Sequence, residues 1–317
     1  MDAWYKPKDA VAPLVLGCMN FGKRTPEAEA RAIADLAIER GVRLFDTANA
    51  YGDGESERIV GRILAGRRDA VHVATKVGWW RREGLSKGRV IASLDESLGR
   101  LGMDHVDLYY LHVPDHETPI EDTLEGVAAV LASGKARRFG LSNYASWQVL
   151  EVLSVCDRMG IPRPAVSQQL YNLLIRQLDL EYWRFARKYT LHTTVYNPLA
   201  GGLLTPKRVA SADATPAAGT RFHKNSLYQR RYLSDVFLDA ANELESLATE
   251  RGLTLVALAY AWLARHPNVD SILVGPGSVA HLRDAIAALD VVLDDDTRAA
   301  IDTIYRRQVG TDASYAR

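Results

Sequence analysis

Eight short apolar runs punctuate the chain, at 15–19, 42–48, 71–77, 106–113, 137–143, 165–171, 192–199 and 270–275. Each is rich in β-branched and aromatic residues and nearly continuous, the pattern of a strand buried on both faces. Between the runs, apolar residues recur at the helical period. PEAEARAIADLAIERG stops at Gly41 and KGRVIASLDESLGRLG at Gly102, each glycine suited to a helix C-terminus. IEDTLEGVAAVLASGK carries acids in its first turn and Lys135 in its last, which suits the helix dipole. SERIVGRILAG, SWQVLEVLSVCDRMG, DLEYWRFARKY, LTLVALAYAWLARHP and VAHLRDAIAALD complete the set.

Strands alternating with helices in this number predict an α/β fold of one kind: a closed (β/α)8 TIM barrel, a single domain over residues 1–317. Two additions are visible. Residues 200–252 read as a long loop after the seventh strand followed by one helix, and DDDTRAAIDTIYRR as a further C-terminal helix. The tail VGTDASYAR has neither period.

Composition narrows the partners. The chain is 47% hydrophobic and 25% charged, with a formal net charge of zero. Such a balance gives no general attraction to nucleic acid or to an acidic membrane, and permits self-association, so a homodimer is allowed. Cys18 and Cys156 are too far apart in sequence for a metal motif and read as buried thiols; no metal is expected. MDAWYKPKD lacks an apolar leader segment, and no run of about 18 apolar residues occurs, so the expectation is a soluble cytoplasmic protein.

The ends of the strands carry the chemistry. In parallel α/β folds the carboxyl ends of the strands face one mouth, where sites are built. Read strand by strand, that mouth receives Asp46 with Tyr51 in the following loop, then Lys76, His112, Ser142 and Asn143, Gln168 and Tyr196. Singly, each has an ordinary explanation: an Asp caps a turn, a Lys is solvated, a His satisfies a backbone group. Asp, Lys and His on three consecutive strands, with Tyr one loop away, fit chance poorly. A buried Lys76 needs a partner, and Asp46 is its neighbour. A phenol ionises near pH 10, and lowering it by about three units takes roughly 4 kcal/mol. One ammonium about 4 Å away at an effective dielectric near 20 supplies about that much. The expectation is therefore a Tyr51 able to exchange protons near neutral pH, with a neutral His112 placing a carbonyl oxygen. No activated Ser or Cys accompanies them, so a hydride donor such as a nicotinamide is the natural second reactant.

These segments, GCMNFG, FDTANAYGDGESE, VATKVG, VDLYYLHVPDHETPIEDTL, GLSNY, QQLYN and YNPLAGGLLT, resemble the aldo-keto reductase family along nearly the whole chain. The resemblance implies a barrel that reduces aldehydes, ketones or dicarbonyls, with Asp46, Tyr51, Lys76 and His112 as its catalytic tetrad. It places Ser142, Asn143 and Gln168 on the nicotinamide carboxamide and Tyr196 against its ring. LHVPDHETPIEDTL, GLSNYASWQV, the spacing of YNLLIRQ and the C-terminal Tyr-x-Arg are most similar to the aflatoxin aldehyde and succinic semialdehyde reductase branch. That branch implies NADPH, often a dimer, and substrates bearing a carboxylate, which Arg231 and Arg317 would bind.

The same resemblance puts the pyrophosphate under PLAGGLLTPK, with Asn197, Leu199, Gly201 and Lys207 as contacts, and the adenosine end at VGPGSVAHLRDA, with Gly277, Ser278, His281 and Asp284. Many members carry Lys, Ser and Arg where this chain has Gly275, Pro276 and His281, so NADH is not excluded. Met19, Trp79 and Trp80 are expected at the substrate, one of the two tryptophans as an aromatic wall, with Phe21 and Tyr144 adding to it. Two other readings stand beside the reductase: a Schiff-base lyase using Lys76 as nucleophile, and a non-catalytic cofactor-binding subunit.

Overall fold

The computed structural model describes residues 11–206, 215–218 and 220–311. Its eight strands are β1 (Leu14–Gly17), β2 (Leu44–Asp46), β3 (His72–Val77), β4 (Val106–Leu111), β5 (Ala136–Ser142), β6 (Val166–Leu170), β7 (His192–Tyr196) and β8 (Ser271–Val274). All pair in parallel, in chain order, and β8 closes on β1. Helices α1 (Glu27–Glu39), α2 (Glu55–Leu64), α3 (Lys87–Leu101), α4 (Ile120–Ala132), α5 (Ser146–Met159) and α6 (Tyr182–Lys188) follow the first six strands in turn. The sequence reading of a TIM barrel with C-terminal additions is the observed architecture. The 200–252 stretch differs: it holds two helices, α7 (Ser226–Tyr232) and α8 (Asp235–Glu250), before α9 (Leu255–Ala264). With only seven residues, α7 is too short to show a period; Asn225 caps it by accepting from the Tyr228 amide. After β8 come α10 (Val279–Ala287) and α11 (Asp295–Val309).

Two apolar clusters follow from the period-two alternation of strand side chains. Val15, Leu44, Ala74, Leu108, Tyr110 and Val166 fill the inside of the barrel. Their strand neighbours, among them Phe45, Val73, Tyr109 and Leu141, pack outward under the helices. This parity fixes which side chains enter the mouth. Counting two residues on from Leu44, Ala74 and Val166 gives Asp46, Lys76 and Gln168, and two on from Tyr110 gives His112. The registers Asp46 with Ala74, Lys76 with Tyr110 and Ser142 with Gln168 set these residues side by side around the rim.

The YNLLIRQ stretch has a structural use. Arg176 is stacked between Trp262 and Tyr305, 4.4 and 4.5 Å from their ring centres, and pairs with Asp302 at 2.7 Å. Gln308 donates to the Leu174 carbonyl at 2.6 Å. The segment after β6 thereby clamps α11 to the barrel.

Candidate active site

The β2–α2 loop delivers the tyrosine. Asp53, Gly52 and Gly54 have φ of 52°, 57° and 84°, a left-handed run that glycine makes affordable. At Gly54 a Cβ would lie 2.5 Å from the Arg100 side chain, so a larger residue would have to displace it. The acid and serine that close the stretch hold it down. Ser56 donates to the Cys18 carbonyl at 2.8 Å and bonds the Thr47 hydroxyl at 2.8 Å. Glu57 is fully buried and accepts from Arg100 at 2.6 Å. Tyr51 is thus set over the barrel mouth by a loop braced at both ends.

Below it, Lys76 is fully buried. Its ammonium pairs with Asp46 and donates to the Thr47 carbonyl at 2.9 Å. Gln168 donates to the other Asp46 oxygen at 2.9 Å. The ammonium lies 5.1 Å from the Tyr51 ring centre and 5.5 Å from that of Tyr110. The His112 ring meets Tyr51 edge-on, with centres 5.9 Å apart. Asp46, Tyr51, Lys76 and His112 are therefore brought together, as the sequence reading expects.

The electrostatics differ from that reading in one respect. Burial, and then the Asp46 carboxylate, push the Tyr51 phenol well above its ordinary value. The expected lowering by Lys76 treats the ammonium as a free charge; its charge is answered by Asp46. The direction of that shift keeps the proton on the Tyr51 phenol at neutral pH. Burial, then Lys76, push His112 well below the usual imidazole range, so it is neutral. Its Nδ1 is buried and has no hydrogen-bond partner among the described residues.

The next rim positions form a second group. Asn143, at φ 66°, donates to the His112 carbonyl at 2.9 Å and to the Ser142 hydroxyl at 3.0 Å. Tyr196 donates to Asn143 Oδ1 at 2.5 Å. Asn197 and Ala200 are also left-handed, at φ 60° and 48°. Non-glycine residues held this way cost about 1–3 kcal/mol each and gather at functional sites. Leu199 precedes and Gly201 lies within the short turn Ala200–Gly202 after β7, where a Cβ on Gly201 would sit 2.7 Å from the Tyr228 ring. Lys207 and Arg317 lie outside the described residues.

Trp79 is the tryptophan at the mouth. It is 47% exposed and its ring lies 5.7 Å from that of His112. Trp80 is drawn away, donating to Asp53 at 3.0 Å and lying against the guanidinium groups of Arg81 and Arg100. Phe21 and Tyr144, expected in the same wall, are buried in the core instead. Met19 stands half-buried just past β1. Arg231 lies 5.8 Å from the Tyr228 ring centre.

At the β8 end, the start of α10 is internally satisfied. Ser278 accepts from the His281 amide at 3.3 Å, and His281 Nδ1 accepts from Gly277 at 3.3 Å. A carboxylate oxygen of Glu29, on α1, accepts from the Val279 amide at 2.7 Å. Asp284 is exposed on the same helix. Beside this, Asn20 donates to the carbonyls of Gly275 and Pro276 at 3.0 and 3.2 Å. Its own Oδ1 accepts from both Arg24, at 2.6 Å, and Arg221, at 3.3 Å. Sequence reasoning missed Asn20, Arg24, Arg221 and Tyr228. Asn20 and Arg24 stand in the loop after β1, Arg221 in a loop 201 residues on from Asn20, and Tyr228 on the short α7, so no period links them.

The sequence matches the Aldo/keto reductase family over residues 13–306. The chain belongs to that family. It is similar to aflatoxin B1 aldehyde reductase member 2 of Homo sapiens, 35% identical over 91% of this chain and 84% of that protein. It is also similar to a probable voltage-gated potassium channel subunit beta of Oryza sativa subsp. japonica, 36% identical over 86% of each. An uncharacterized oxidoreductase of Bacillus subtilis is 33% identical over 93% of this chain and 92% of its own length. The aldo/keto reductases act on small carbonyl compounds with nicotinamide cofactors, and the barrel mouth described above is where this member presents its polar side chains.

Proposed function

We propose that this protein reduces aldehydes, ketones or dicarbonyls to alcohols, with Tyr51 as proton donor and a reduced nicotinamide dinucleotide as the second reactant. The observation that carries the reading is a buried Lys76 ammonium, gripped by Asp46, lying under the Tyr51 ring beside a neutral His112. The dinucleotide, when bound, supplies the hydride. The protein's part is then to orient and to move one proton. His112 hydrogen-bonds the carbonyl oxygen, Tyr51 Oη gives that oxygen its proton, and Lys76 stabilises the phenolate left behind. Asp46 and Gln168 keep Lys76 in place. The residues fit a dinucleotide: Ser142, Asn143 and Tyr196 offer donors and an aromatic face next to the tetrad, and the guanidinium groups of Arg221 and Arg24, both on Asn20, continue toward β8.

The same geometry disfavours a lyase, because a lysine held by a carboxylate and a carbonyl is not a free amine nucleophile. A cofactor-binding regulatory subunit is a second reading, favoured by the similarity to the rice protein. The test is a panel of aldehydes and dicarbonyls, with and without a carboxylate, followed at the nicotinamide absorbance. Turnover on none of them, with dinucleotide bound, would decide for the regulatory subunit.

Within the reading, substrates bearing a carboxylate are proposed. Arg231 lies against the Tyr228 ring, and its charge is among the influences on the Tyr196 phenol at the rim. Arg231→Ala is expected to raise KM for a semialdehyde acid by about tenfold to about a hundredfold, as loss of a charge-assisted contact would. A neutral aldehyde should change by less than about threefold on the same scale. Equal effects on both would discard the carboxylate idea.

NADPH is the proposed donor by resemblance, with NADH accepted because Glu29 already holds the Val279 amide. A carboxylate there opposes a 2′-phosphate. Glu29→Gln should tighten NADPH by about fivefold relative to NADH, the scale of one screened charge. An unchanged ratio of the two dissociation constants would remove Glu29 from the choice.

A further inference from the structure

The polar grip on Lys76 comes from the β2 side. Asp46 ends that strand and Thr47 follows it, and between them they take the ammonium on a carboxylate and a carbonyl. On the opposite flank stands β4, where the residue in register with Lys76 is Tyr110. Tyr110 is fully buried and belongs to the cluster that fills the inside of the barrel. The ammonium lies over its ring, 5.5 Å from the centre, as it lies over that of Tyr51 at 5.1 Å. A cation within about 6 Å of a ring centre is drawn to the ring's negative face, and more strongly where water is excluded. One ammonium thus meets two phenol rings, one from the loop over the mouth and one from the core.

The next strand makes room for the core ring. Tyr110 is in register with Gly140 on β5. A Cβ on Gly140 would stand 2.7 and 2.8 Å from Cε1 and Cδ1 of Tyr110, so a side chain there would push the ring out of place. Gly140 is not among the glycines with a left-handed backbone, so its missing side chain serves space and not a turn. The Tyr110 hydroxyl does not account for the residue, since it is buried and makes no hydrogen bond among the described residues. What Tyr110 brings to Lys76 is the face of its ring. Charge favours a ring at this place. Asp46 already pushes the Tyr51 phenol up. A second carboxylate on the β4 side would hold the ammonium but push the phenol further, whereas a ring holds the cation and adds no negative charge.

We propose that Tyr110 is a positioning residue for the proton transfer, the face of its ring holding the Lys76 ammonium in place beneath Tyr51. The inference rests on the reductase reading and deepens it by adding a residue outside the tetrad. Fully buried, Tyr110 acts through Lys76 and not on the substrate. When Tyr51 gives up its proton, Lys76 has to stand against the new phenolate while Asp46 draws it toward β2. The Tyr110 face opposes that pull from the β4 side.

Steady-state rates of the whole protein, on a carbonyl compound that the wild type turns over, test this. Tyr110→Phe keeps the ring and should hold kcat within about threefold of wild type. Tyr110→Leu removes the face and should lower kcat by about tenfold to about thirtyfold, with KM within about threefold. A phenylalanine trifluorinated on its ring, introduced in place of Tyr110 by nonsense suppression, keeps the shape and loses most of the negative face. It should be slow like Tyr110→Leu, a result that packing alone would not give and that does not depend on the leucine variant folding. In a Lys76→Met background, Tyr110→Leu should cost less than about twofold more, because the group it acts through is gone. Circular dichroism and melting temperature confirm that the variants fold. A trifluorinated variant as fast as Tyr110→Phe would overturn the proposal. So would a Tyr110→Phe as slow as Tyr110→Leu, which would move the role to the hydroxyl. Wild-type protein that turns over none of the carbonyl panel would sink the reductase reading itself, a different result from an active wild type with insensitive variants.

Discussion

Tyr51→Phe is expected to lower kcat for carbonyl reduction by about a hundredfold to about ten-thousandfold, the usual worth of a positioned general acid. The ring stays, so its packing against His112 and over Lys76 stays, and dinucleotide affinity should move by no more than a few-fold. The pH profile of the wild type sharpens the claim. Burial and Asp46 hold the phenol above its ordinary value, so the proton to be given is present throughout the neutral and mildly alkaline range. His112 is depressed and neutral over the same range. Reduction should therefore be flat between about pH 6.5 and about pH 9, with no alkaline decline from a phenol titrating near 7. Stability has its own sign. An unfolded His112 takes a proton as pH falls through about 6.5 while the folded one refuses it, so this residue's contribution is present above that pH and is lost below it. A Tyr51→Phe enzyme that kept most of its rate would show that another group donates the proton.

The parts of this site legible in the sequence are those governed by strand parity. Asp46, Lys76, His112, Ser142 and Gln168 each stand at the end of an apolar run, two residues beyond a core position, and a parallel barrel turns all such ends to one mouth. The barrel itself was legible for the same reason, since the alternation of periods is written locally. What was not legible depends on contacts between distant loops. Trp79 and Trp80 are equivalent in sequence, and the contacts with Asp53, Arg81 and Arg100 draw Trp80 away. Phe21, expected to add to the aromatic wall, is instead fully buried in the core, at the turn where its amide bonds the Cys18 carbonyl. Arg24 and Arg221 look like two solvated loop cations until the closure of β8 on β1 sets both on Asn20. The direction of the Tyr51 shift failed for a related reason. Arithmetic on one ammonium omits the carboxylate that the fold places against it.

Lys76→Met probes that carboxylate directly. The substitution removes the ammonium while keeping a long apolar side chain in a fully buried position. Asp46, also fully buried, is then left with Gln168 as its remaining donor in the rim. Breaking a buried pair in this way costs about 3–5 kcal/mol, because the surviving charge is uncompensated. Melting should fall by roughly 5–15 °C in a chain of this size. Adding Asp46→Asn to Lys76→Met should recover part of the loss, since it removes the stranded charge; additive losses would mean the two groups act independently. The catalytic test uses the same variant. If Lys76 acts by stabilising the phenolate of Tyr51, the two work on one proton, and Tyr51→Phe with Lys76→Met should be about as slow as the slower single variant. Multiplying rate losses, with the protein still folded at the assay temperature, would assign Lys76 a task separate from the tyrosine and remove the central link in the proposed chemistry.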